Sequence, residues 1–469
     1  AASKQPRQHW AHGTGSVGYH GNNRGVAMVE FMAGGSQREF PTYDGSWIRR
    51  FSNYTIPAAT TTYACQAFSF PTTSDKYIVA VKPVYNEATK KYPHHAILHV
   101  CQQNTYWNDH QMPRLCGGNG GSPLGDTNSE CSSLMWSWAV GLGDFILPPE
   151  AHFHVGSGNA KISHVVLEIH YDNPQHLTNI VDSTGFEAFY VDSPRTYNAA
   201  GMTLGDPTAS FSKFTGTSVP YDVGALPPAT EKIHRQATCP SSCTNDLNST
   251  ITVFSGFLHM HNFGEKMYTQ HYNSSGALLR TTNRVDFWDN GFQQMRDDND
   301  FTFQIARGDS LQTHCFFNSK QHSSGHIAFG GATADEMCMD FLFYYPAQYR
   351  GVDSSNRKQL FAFCGGIAVT SPSNAIHTLC GGLSQNGSTS GIPNFLLAGN
   401  QVKEGDEAFA DPSNFGNANQ NTGGQATTRA ECTTSETLPH LTSSGTASAS
   451  RVSTATVIAL LPCLFFYMM

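Results

Sequence analysis

Short segments of alternating apolar and polar residues, separated by Gly, Pro, Asn and Asp, run through the chain from about Gly25. Clear examples lie at residues 77–84, 162–171 and 251–261. A period of two is typical of half-buried strands, and long stretches with the 3.6-residue period of amphipathic helices are missing. The sequence therefore predicts an all-β fold of two tandem β-sandwiches or jelly rolls.

Composition excludes two classes of protein. Charged residues make up 14% of the chain and aromatic residues 12%, whereas a disordered chain needs high charge and few aromatics. Lys and Arg number 28 against 36 Asp and Glu, giving a net charge of −8. We therefore expect no nucleic acid as a partner.

Cysteines and glycosylation sequons indicate the cellular compartment in which the protein folds. The chain has 12 Cys, and Asn-x-Ser/Thr sequons at Asn53, Asn248, Asn273 and Asn386 are candidate glycosylation sites. Many cysteines together with several sequons favour an oxidising, secretory route. We expect a secreted or cell-surface glycoprotein with disulfide bonds.

The pattern divides the chain into five segments. Residues 1–24 are irregular and rich in Gly and His, and residues 192–201 form a candidate hinge between domains at 25–195 and 196–382. Residues 383–455, rich in Ser, Thr, Gly and Asn, predict a disordered stalk. Residues 456–469 form an apolar tail.

That tail predicts a membrane anchor. Its apolar run is shorter than the roughly 20 residues that a spanning helix needs. Small residues at Ser443, Ser444 and Gly445, a polar spacer and the apolar run match a glycolipid (GPI) attachment signal. A short tail-anchored helix is the alternative.

A His-x-His pair suggests a metal site. On a strand, residues i and i+2 share a face, so His259 and His261 point to the same side. A lone pair of this kind is common, and Met337 alone is a typical core residue. A thioether beside two imidazoles, however, forms a soft ligand set that suits copper better than zinc or magnesium.

A second histidine group lies at His94 and His95. Adjacent strand residues point to opposite faces, so these two share a metal only at a bulge or a strand end, which Pro93 favours. His170 is available as a third donor. We expect His99 to face elsewhere and to be structural, and the same applies to His152, His154, His164 and His176.

Taken in order, these motifs resemble the copper type II, ascorbate-dependent monooxygenases, the family of dopamine β-hydroxylase and the peptidylglycine hydroxylating enzyme. The resemblance covers about residues 25–365. The matching segments are Tyr63-Ala-Cys65, His94-His95 with Cys101, Cys131 with Trp136-Ser-Trp138, Leu167-Glu-Ile-His170-Tyr, Arg195-Thr-Tyr-Asn-Ala-Ala-Gly, Cys239 with Cys243, Leu258-His259-Met-His261, Phe287-Trp-Asp-Asn-Gly-Phe-Gln, Gly308-Asp-Ser-Leu-Gln-Thr-His-Cys315, and Asp335-Glu-Met337-Cys338 with Tyr344-Tyr345-Pro346.

The resemblance implies two antiparallel jelly-roll domains, each with one copper, facing across a solvent-filled cleft. His94, His95 and His170 would bind the electron-transfer copper, and His259, His261 and Met337 the catalytic copper that binds dioxygen. Ascorbate would reduce both coppers, and a hydroxyl group would be inserted at an activated C–H bond of a small-molecule substrate.

The resemblance also implies disulfide bonds. They join Cys65 to Cys116, Cys101 to Cys131, Cys239 to Cys364, Cys315 to Cys338, and Cys243 to either Cys380 or Cys432.

The resemblance also implies a substrate preference, because this chain differs from the peptide-amidating branch of the family at three positions. Where the peptide-amidating branch has an Arg, an Asn and a Tyr, this chain has Phe257, Met339 and Phe341. A substrate carboxylate would lack a cation there, at a cost of several kcal/mol. We therefore expect an apolar or aromatic substrate, such as a small amine of the dopamine β-hydroxylase branch.

Two other functions remain open. A non-catalytic copper-binding surface protein would keep the fold, but it would be expected to lose at least one of the six ligands. A zinc or iron oxygenase of the cupin kind would need a carboxylate near the His-x-His pair, and Glu265 is the candidate.

Overall fold

The computed structural model describes residues 38–368, except 71–73, 102–111, 117–132, 141, 157–161, 207–224, 292, 294, 297–300, 331–334 and 353–357. It also describes the strand backbones at 7–11, 24–28 and 376–381. The described residues are almost entirely in strands and loops, with one short helix, α1 (Ser241–Thr244). The predicted all-β fold is confirmed.

The strands of the N-terminal half are β1 (Arg7–Ala11), β2 (Arg24–Met28), β3 (Gly45–Arg50), β4 (Tyr54–Ile56), β5 (Thr61–Ser69), β6 (Lys76–Val84), β7 (Pro93–Cys101), β8 (Arg114–Leu115), β9 (Ser133–Ala139), β10 (Phe145–Ile146), β11 (Ala151–Val155), β12 (His164–Asp172), β13 (Ile180–Asp182), β14 (Gly185–Val191) and β15 (Tyr197–Asn198). Those of the C-terminal half are β16 (Ala200–Gly205), β17 (Ile233–Cys239), β18 (Ile251–His259), β19 (Gly264–Tyr272), β20 (Leu278–Val285), β21 (Met295–Arg296), β22 (Phe303–Ile305), β23 (Ser310–Phe317), β24 (Met339–Tyr345), β25 (Tyr349–Val352), β26 (Lys358–Leu360), β27 (Phe363–Ala368) and β28 (Ile376–Gly381).

Each half contains two larger sheets. In the N-terminal half, β8-β5-β12-β7-β9 form one sheet, and β15-β11-β6-β14-β3, with β10 beside β6, form the other. In the C-terminal half, β21-β18-β24-β16-β27-β28, with β22 beside β18, form one sheet, and β17-β23-β19-β20 form the other. The ladders are antiparallel except for two parallel pairs, β11 with β15 and β16 with β27.

The two halves share one hydrophobic core, which draws apolar side chains from both. Phe145 of the N-terminal half packs with its ring centroid 4.8 Å from that of Phe343 and 6.1 Å from that of Phe254, both in the C-terminal half. Burying large aromatic side chains is among the strongest stabilising contributions to packing. This cluster therefore holds the two halves together.

The predicted hinge at residues 192–201 contains β15 and is hydrogen-bonded to both halves. Arg195 donates to the carbonyl oxygens of Pro148 and Ala151 at 2.8 and 3.0 Å. β15 pairs with β11 of the N-terminal half, and β16 lies between β24 and β27 in the interior of its sheet.

Three disulfides lie in the described part of the chain: Cys65–Cys116, Cys239–Cys364 and Cys315–Cys338. All three are among the pairings that the resemblance implies. Cys243 is also disulfide-bonded. The side chains of Cys101, Cys131, Cys380 and Cys432 lie outside the described residues.

Several other expectations concern the surface and the ends. Asn53 and Asn248 are exposed and Asn273 is half-buried, while Asn386, the stalk and the apolar tail lie outside the described residues. Within the described residues, the structure contains no helix that would span a bilayer. Glycosylation and anchoring therefore stay predictions.

Candidate metal centres

Three histidines of the N-terminal half converge on one point. Nδ1 of His95 lies 3.3 Å from Nδ1 of His94 and 3.2 Å from Nδ1 of His170. Three nitrogens bound to one metal ion at about 2 Å, at near-tetrahedral angles, lie about 3.3 Å apart. The spacing of this cluster therefore matches a metal site of three imidazoles.

A β-bulge allows the two adjacent histidines to share this site. In the ladder between β12 and β7, His170 pairs with His95, but Tyr171 pairs with Pro93, so His94 is the extra residue. A bulge re-aims one side chain relative to regular alternation. The irregularity that Pro93 suggested thus lies at His94.

Burial keeps the imidazoles of His95 and His170 neutral. His95 and His170 are 3% and 4% exposed. Desolvation, reinforced by neighbouring imidazoles, holds the pKa of each well below its usual range. A neutral imidazole has a lone pair for a metal ion, so His95 and His170 are prepared to bind a cation at neutral pH.

His259 and His261 sit at the end of β18 and are buried. Their ring centroids are 5.0 Å apart. Nδ1 of His259 donates to Oε1 of Gln293, and Nδ1 of His261 donates to the carbonyl oxygen of Asp335, each at 2.8 Å. Both rings therefore carry the lone pair on Nε2, in the arrangement that hydrogen-bonded metal ligands usually show.

Met337 lies in the segment that runs beside this pair. His259 pairs with Met339 in the ladder between β18 and β24, and continuing this register pairs position 261 with position 337. The half-buried Met337 packs against the shared core. The structure therefore brings the three residues of the predicted second site onto neighbouring chain segments.

A buried carboxylate fastens these segments together. Glu336 accepts hydrogen bonds from the backbone N–H groups of His261 at 2.9 Å, Phe263 at 2.6 Å and Met337 at 3.2 Å. Burial raises the pKa of Glu336 to about 7, although the three N–H groups act in the opposite direction. Glu336 links the His-x-His strand to the segment that carries Met337.

The two sites are close together, which corrects the expectation of a solvent-filled cleft between them. The ring centroids of His95 and His259 are 5.7 Å apart, and both side chains are buried. The physical reason is that β9, which pairs with the His95 strand β7, contacts the C-terminal half directly. Ser133 Oγ donates to the carbonyl oxygen of Gly201 at 2.9 Å, and Ser137 Oγ lies 4.0 Å from the sulfur of Met295.

The three candidate substrate residues form an apolar wall next to His259. Phe257 pairs with Phe341 across the ladder, and the ring centroids of Phe257 and Phe341 lie 6.4 and 5.9 Å from that of His259. Met339 pairs with His259 itself. All three are nearly fully buried and belong to the shared core.

His99 corrects a second expectation. Four residues along a strand return to the same face, so His99 lies on the side of the sheet that carries His95. It does not join the three-histidine cluster. Its Nε2 lies 3.1 Å from Oε2 of Glu168, and both side chains are buried.

Two supporting residues were not anticipated as such. Gln293, fully buried, closes the Phe287-Trp-Asp-Asn-Gly-Phe-Gln motif and orients His259. Tyr63 stacks on His170 with ring centroids 4.5 Å apart. Both residues lie within motifs of the family resemblance, and this was the sequence signal that could have identified them as supporting residues. Glu265, the carboxylate of the cupin alternative, instead accepts a hydrogen bond from Asn318.

Comparison with known proteins agrees with this geometry. Residues 47–178 match the N-terminal domain, and residues 215–361 the C-terminal domain, of "Copper type II ascorbate-dependent monooxygenase". The predicted domain boundary at 195/196 falls between the two matched regions. Together these regions span more than half of the chain.

Curated relatives carry related names. "Tyramine beta-hydroxylase" of Caenorhabditis briggsae is 28% identical over 299 residues, 62% of this chain and 47% of its own. "DBH-like monooxygenase protein 1" of Mus musculus is 27% identical over 338 residues, 70% of this chain and 51% of its own. "Dopamine beta-hydroxylase" of Canis lupus familiaris is 27% identical over 300 residues, covering 63% of this chain and 44% of its own.

The chain thus spans about half the length of these relatives. Both domain matches fall on the halves that hold the two histidine sites. The chain belongs to the copper type II ascorbate-dependent monooxygenases.

Proposed function

We propose that this protein is a copper-dependent monooxygenase that uses dioxygen and ascorbate to hydroxylate an activated C–H bond of a small aromatic or amine substrate. The observation that carries the proposal is the pair of largely buried donor sets, three imidazoles in one and two imidazoles on the segment beside Met337 in the other, with the ring centroids of His95 and His259 only 5.7 Å apart. Family membership supplies the reaction class.

The donor sets fit two copper ions. His94, His95 and His170 would hold one through Nδ1, and His259 and His261 would hold the other through Nε2, with the sulfur of Met337. Neutral nitrogen and thioether ligands suit copper, and the thioether favours its reduced form. When bound, copper supplies the one-electron chemistry by which dioxygen and ascorbate react.

The protein's own residues would orient the ligands and exclude water. Gln293 and the carbonyl group of Asp335 fix the tautomers of His259 and His261. Phe257 and Phe341 cover one side of His259 with apolar surface. A dry site of this kind protects reactive species from side reactions with solvent.

The apolar wall favours a substrate without a carboxylate. Phe257, Met339 and Phe341 offer no hydrogen-bond donor and no cation, so a buried carboxylate would be left unpaired. Relatives named for tyramine and dopamine suggest an arylalkylamine. The ring of such a substrate would contact aromatic side chains edge to face or offset-stacked.

Copper content and oxygen uptake test the proposal. The purified protein should bind two copper ions and consume oxygen with ascorbate when arylalkylamines are supplied, and isotopically labelled dioxygen should appear in the product. Met337→Ala and His170→Ala should both fold yet lose product formation. Met112→Ala and His326→Ala, which change an exposed Met and an exposed His, are the matched controls and should keep it.

Other outcomes point to a different function. Two bound coppers without oxygen uptake on any amine or aromatic substrate would indicate a non-catalytic copper-binding surface protein. Full hydroxylation by Met337→Ala would show that the thioether is not a ligand.

We propose a secretory route for the protein and a glycolipid anchor for its tail. Buried disulfides on both halves support the oxidising compartment. Incorporation of labelled ethanolamine near residues 443–445 tests the anchor, and its absence from the mature protein would exclude it.

A further inference from the structure

A polar cleft of about 430 Å³ opens beside the end of β18. Sites for small molecules typically measure about 300–1,000 Å³. The loop between β18 and β19 and the chain after β23 line this cleft. The lining residues are Asn262, Phe263, Gly264, Glu265, Asn318, Lys320, Gln321 and His322.

The wall of the cleft is joined directly to the second metal centre. Asn262 follows the candidate ligand His261 in the chain. The N–H of Phe263 donates to the same Glu336 carboxylate that holds the N–H groups of His261 and Met337. Trp288 Nε1 also donates to the carbonyl oxygen of His261 at 3.1 Å. A molecule in the cleft would therefore sit one residue away from a metal ligand.

The lining has the chemistry of a site for hydroxyl groups. It contains primary amides, the Glu265 carboxylate and the His322 imidazole, with one aromatic ring, Phe263, whose centroid lies 5.6 Å from that of His322. Asn318 Nδ2 already donates to Oε1 of Glu265 at 2.7 Å, and the amide and the carboxylate each have further donor or acceptor capacity for a ligand. Amide and carboxylate side chains donate to and accept from vicinal hydroxyls. An apolar ligand would find few partners here.

One cation is available for an anionic ligand. Lys320 pairs with Glu231 at 2.5 Å, and the side chains are 66% and 48% exposed. Exposed ion pairs of this kind contribute little stability. Lys320 is therefore able to exchange this partner for a ligand's negative charge.

Direct access to the metal ligands is restricted in the same structure. Four of the six candidate ligands, His95, His170, His259 and His261, are at most 4% exposed, and the other two, His94 and Met337, are half-buried. A reductant that does not enter the core must deliver its electron from a surface position beside a ligand. The cleft at Asn262 is such a position.

We propose that this cleft is the docking site for ascorbate, a lactone that carries an enediol and vicinal hydroxyls. The inference rests on the proposed function. With copper held by the candidate ligands, ascorbate monoanion bound here would be placed to supply one electron to Cu(II), its enediol O–H would release a proton to water, and the ascorbyl radical anion would remain. Lys320 holds the negative charge, and Gln321 with the neighbouring amides binds the hydroxyls.

Binding to the copper-free protein tests the site independently of catalysis. Saturation-transfer NMR should detect ascorbate and L-gulono-1,4-lactone, a lactone without the enediol, on the wild type. The double variant Lys320→Ala/Gln321→Ala should weaken ascorbate binding about tenfold, the effect of losing roughly one charge-assisted hydrogen bond. It should weaken binding of the lactone less, because the lactone has no negative charge for Lys320 to hold. Lys90→Ala/Gln304→Ala, an exposed Lys paired with Glu87 together with an exposed Gln, is the matched control and should bind like the wild type.

Reduction kinetics provide the second measurement. The rate at which ascorbate reduces the copper-loaded wild type should saturate with ascorbate concentration, and half-saturation should rise about tenfold in Lys320→Ala/Gln321→Ala. Reduction by hexaammineruthenium(II), which needs no such site, should be unchanged. Copper content should stay the same in both variants.

Three outcomes would overturn the inference: equal ascorbate binding in the wild type and the double variant, binding of glucose as tight as that of ascorbate, or an unchanged half-saturation. Failure of the proposed function looks different, because oxygen uptake would then be absent with every reductant while ascorbate still binds to the copper-free protein.

Discussion

The side-chain oxygen of Gln293 accepts a hydrogen bond from Nδ1 of His259 at 2.8 Å, and Gln293 is fully buried. The side-chain nitrogen of the same residue contacts Asn290. The amide therefore joins the loop between β20 and β21 to an imidazole at the end of β18. It fixes which ring nitrogen is left for a metal ion.

Replacing this amide should weaken one copper site. Gln293→Leu keeps the approximate shape but removes the acceptor, so His259 is free to change tautomer or rotate. Loss of such an orienting partner typically lowers metal affinity about 10–100-fold. Copper titration against a chelator should show one weakened and one unchanged site. Gln304→Leu, at an exposed position of β22, should leave both intact, and equal affinities in the two variants would contradict the assignment.

Removing the Cys315–Cys338 bridge should cost both stability and copper. The cysteines are 23 residues apart in the chain, so the chain-entropy model gives a loss of about 3 kcal/mol for Cys315→Ser/Cys338→Ser. Because Cys338 follows Met337, we also expect the second copper to bind more weakly. The measurements are denaturant unfolding and copper content.

The Cys239–Cys364 bridge provides the control. It spans 125 residues, and its loss should destabilise by about 5 kcal/mol while two coppers remain in the folded fraction. If both double variants lost copper equally, the bridge at Cys338 would have no special effect on Met337.

Asp340 should make stability depend on pH. Burial raises the pKa of Asp340 to about 7, although hydrogen bonds from Thr269 and Asn283 act in the opposite direction. The folded state binds a proton at Asp340 more tightly than the unfolded chain does. The stability that this proton binding contributes is therefore complete below pH 3.8 and is lost as the pH rises to about 7.

Asp340→Asn imitates the protonated carboxyl group and retains partners for Thr269 and Asn283. At pH 8 the variant should be more stable than the wild type by on the order of 3 kcal/mol, with a difference near zero at pH 4. Urea unfolding of the copper-free proteins at several pH values measures the difference. Parallel stability curves would show that Asp340 titrates normally.

The distance between His95 and His259 should be visible in spectroscopy. With both sites holding Cu(II), two ions bound by rings whose centroids are 5.7 Å apart should show magnetic dipolar coupling in electron paramagnetic resonance. His170→Ala, which removes a ligand from one site only, should give the spectrum of an isolated ion. Two uncoupled signals from the wild type would mean that the halves are farther apart in solution.

Sequence reasoning succeeded where the chemistry is local. The period of two placed His259 and His261 on one face, and Pro93 pointed to the irregularity that lets His94 and His95 meet at one point. The predicted orientation of His99 was wrong, because residues four positions apart on a strand point to the same face, and His99 is four residues after His95. The contact between His95 and His259 brings together strands β7 and β18, which are far apart in the chain. Packing between residues far apart in the chain leaves no local pattern in the sequence. The hydrogen bond between Gln293 and His259 could not be predicted from the sequence for the same reason.

Cys338 is covalently tied to β23 and is the immediate neighbour of Met337. A nascent chain in a reducing environment therefore lacks the tether that holds the sulfur ligand in place. We expect oxidative folding to precede complete metallation, so that copper delivered to the unoxidised chain is retained poorly. Because Met337 and Cys338 are neighbours in the chain, we expect thiol oxidation to come first in maturation and metal binding second.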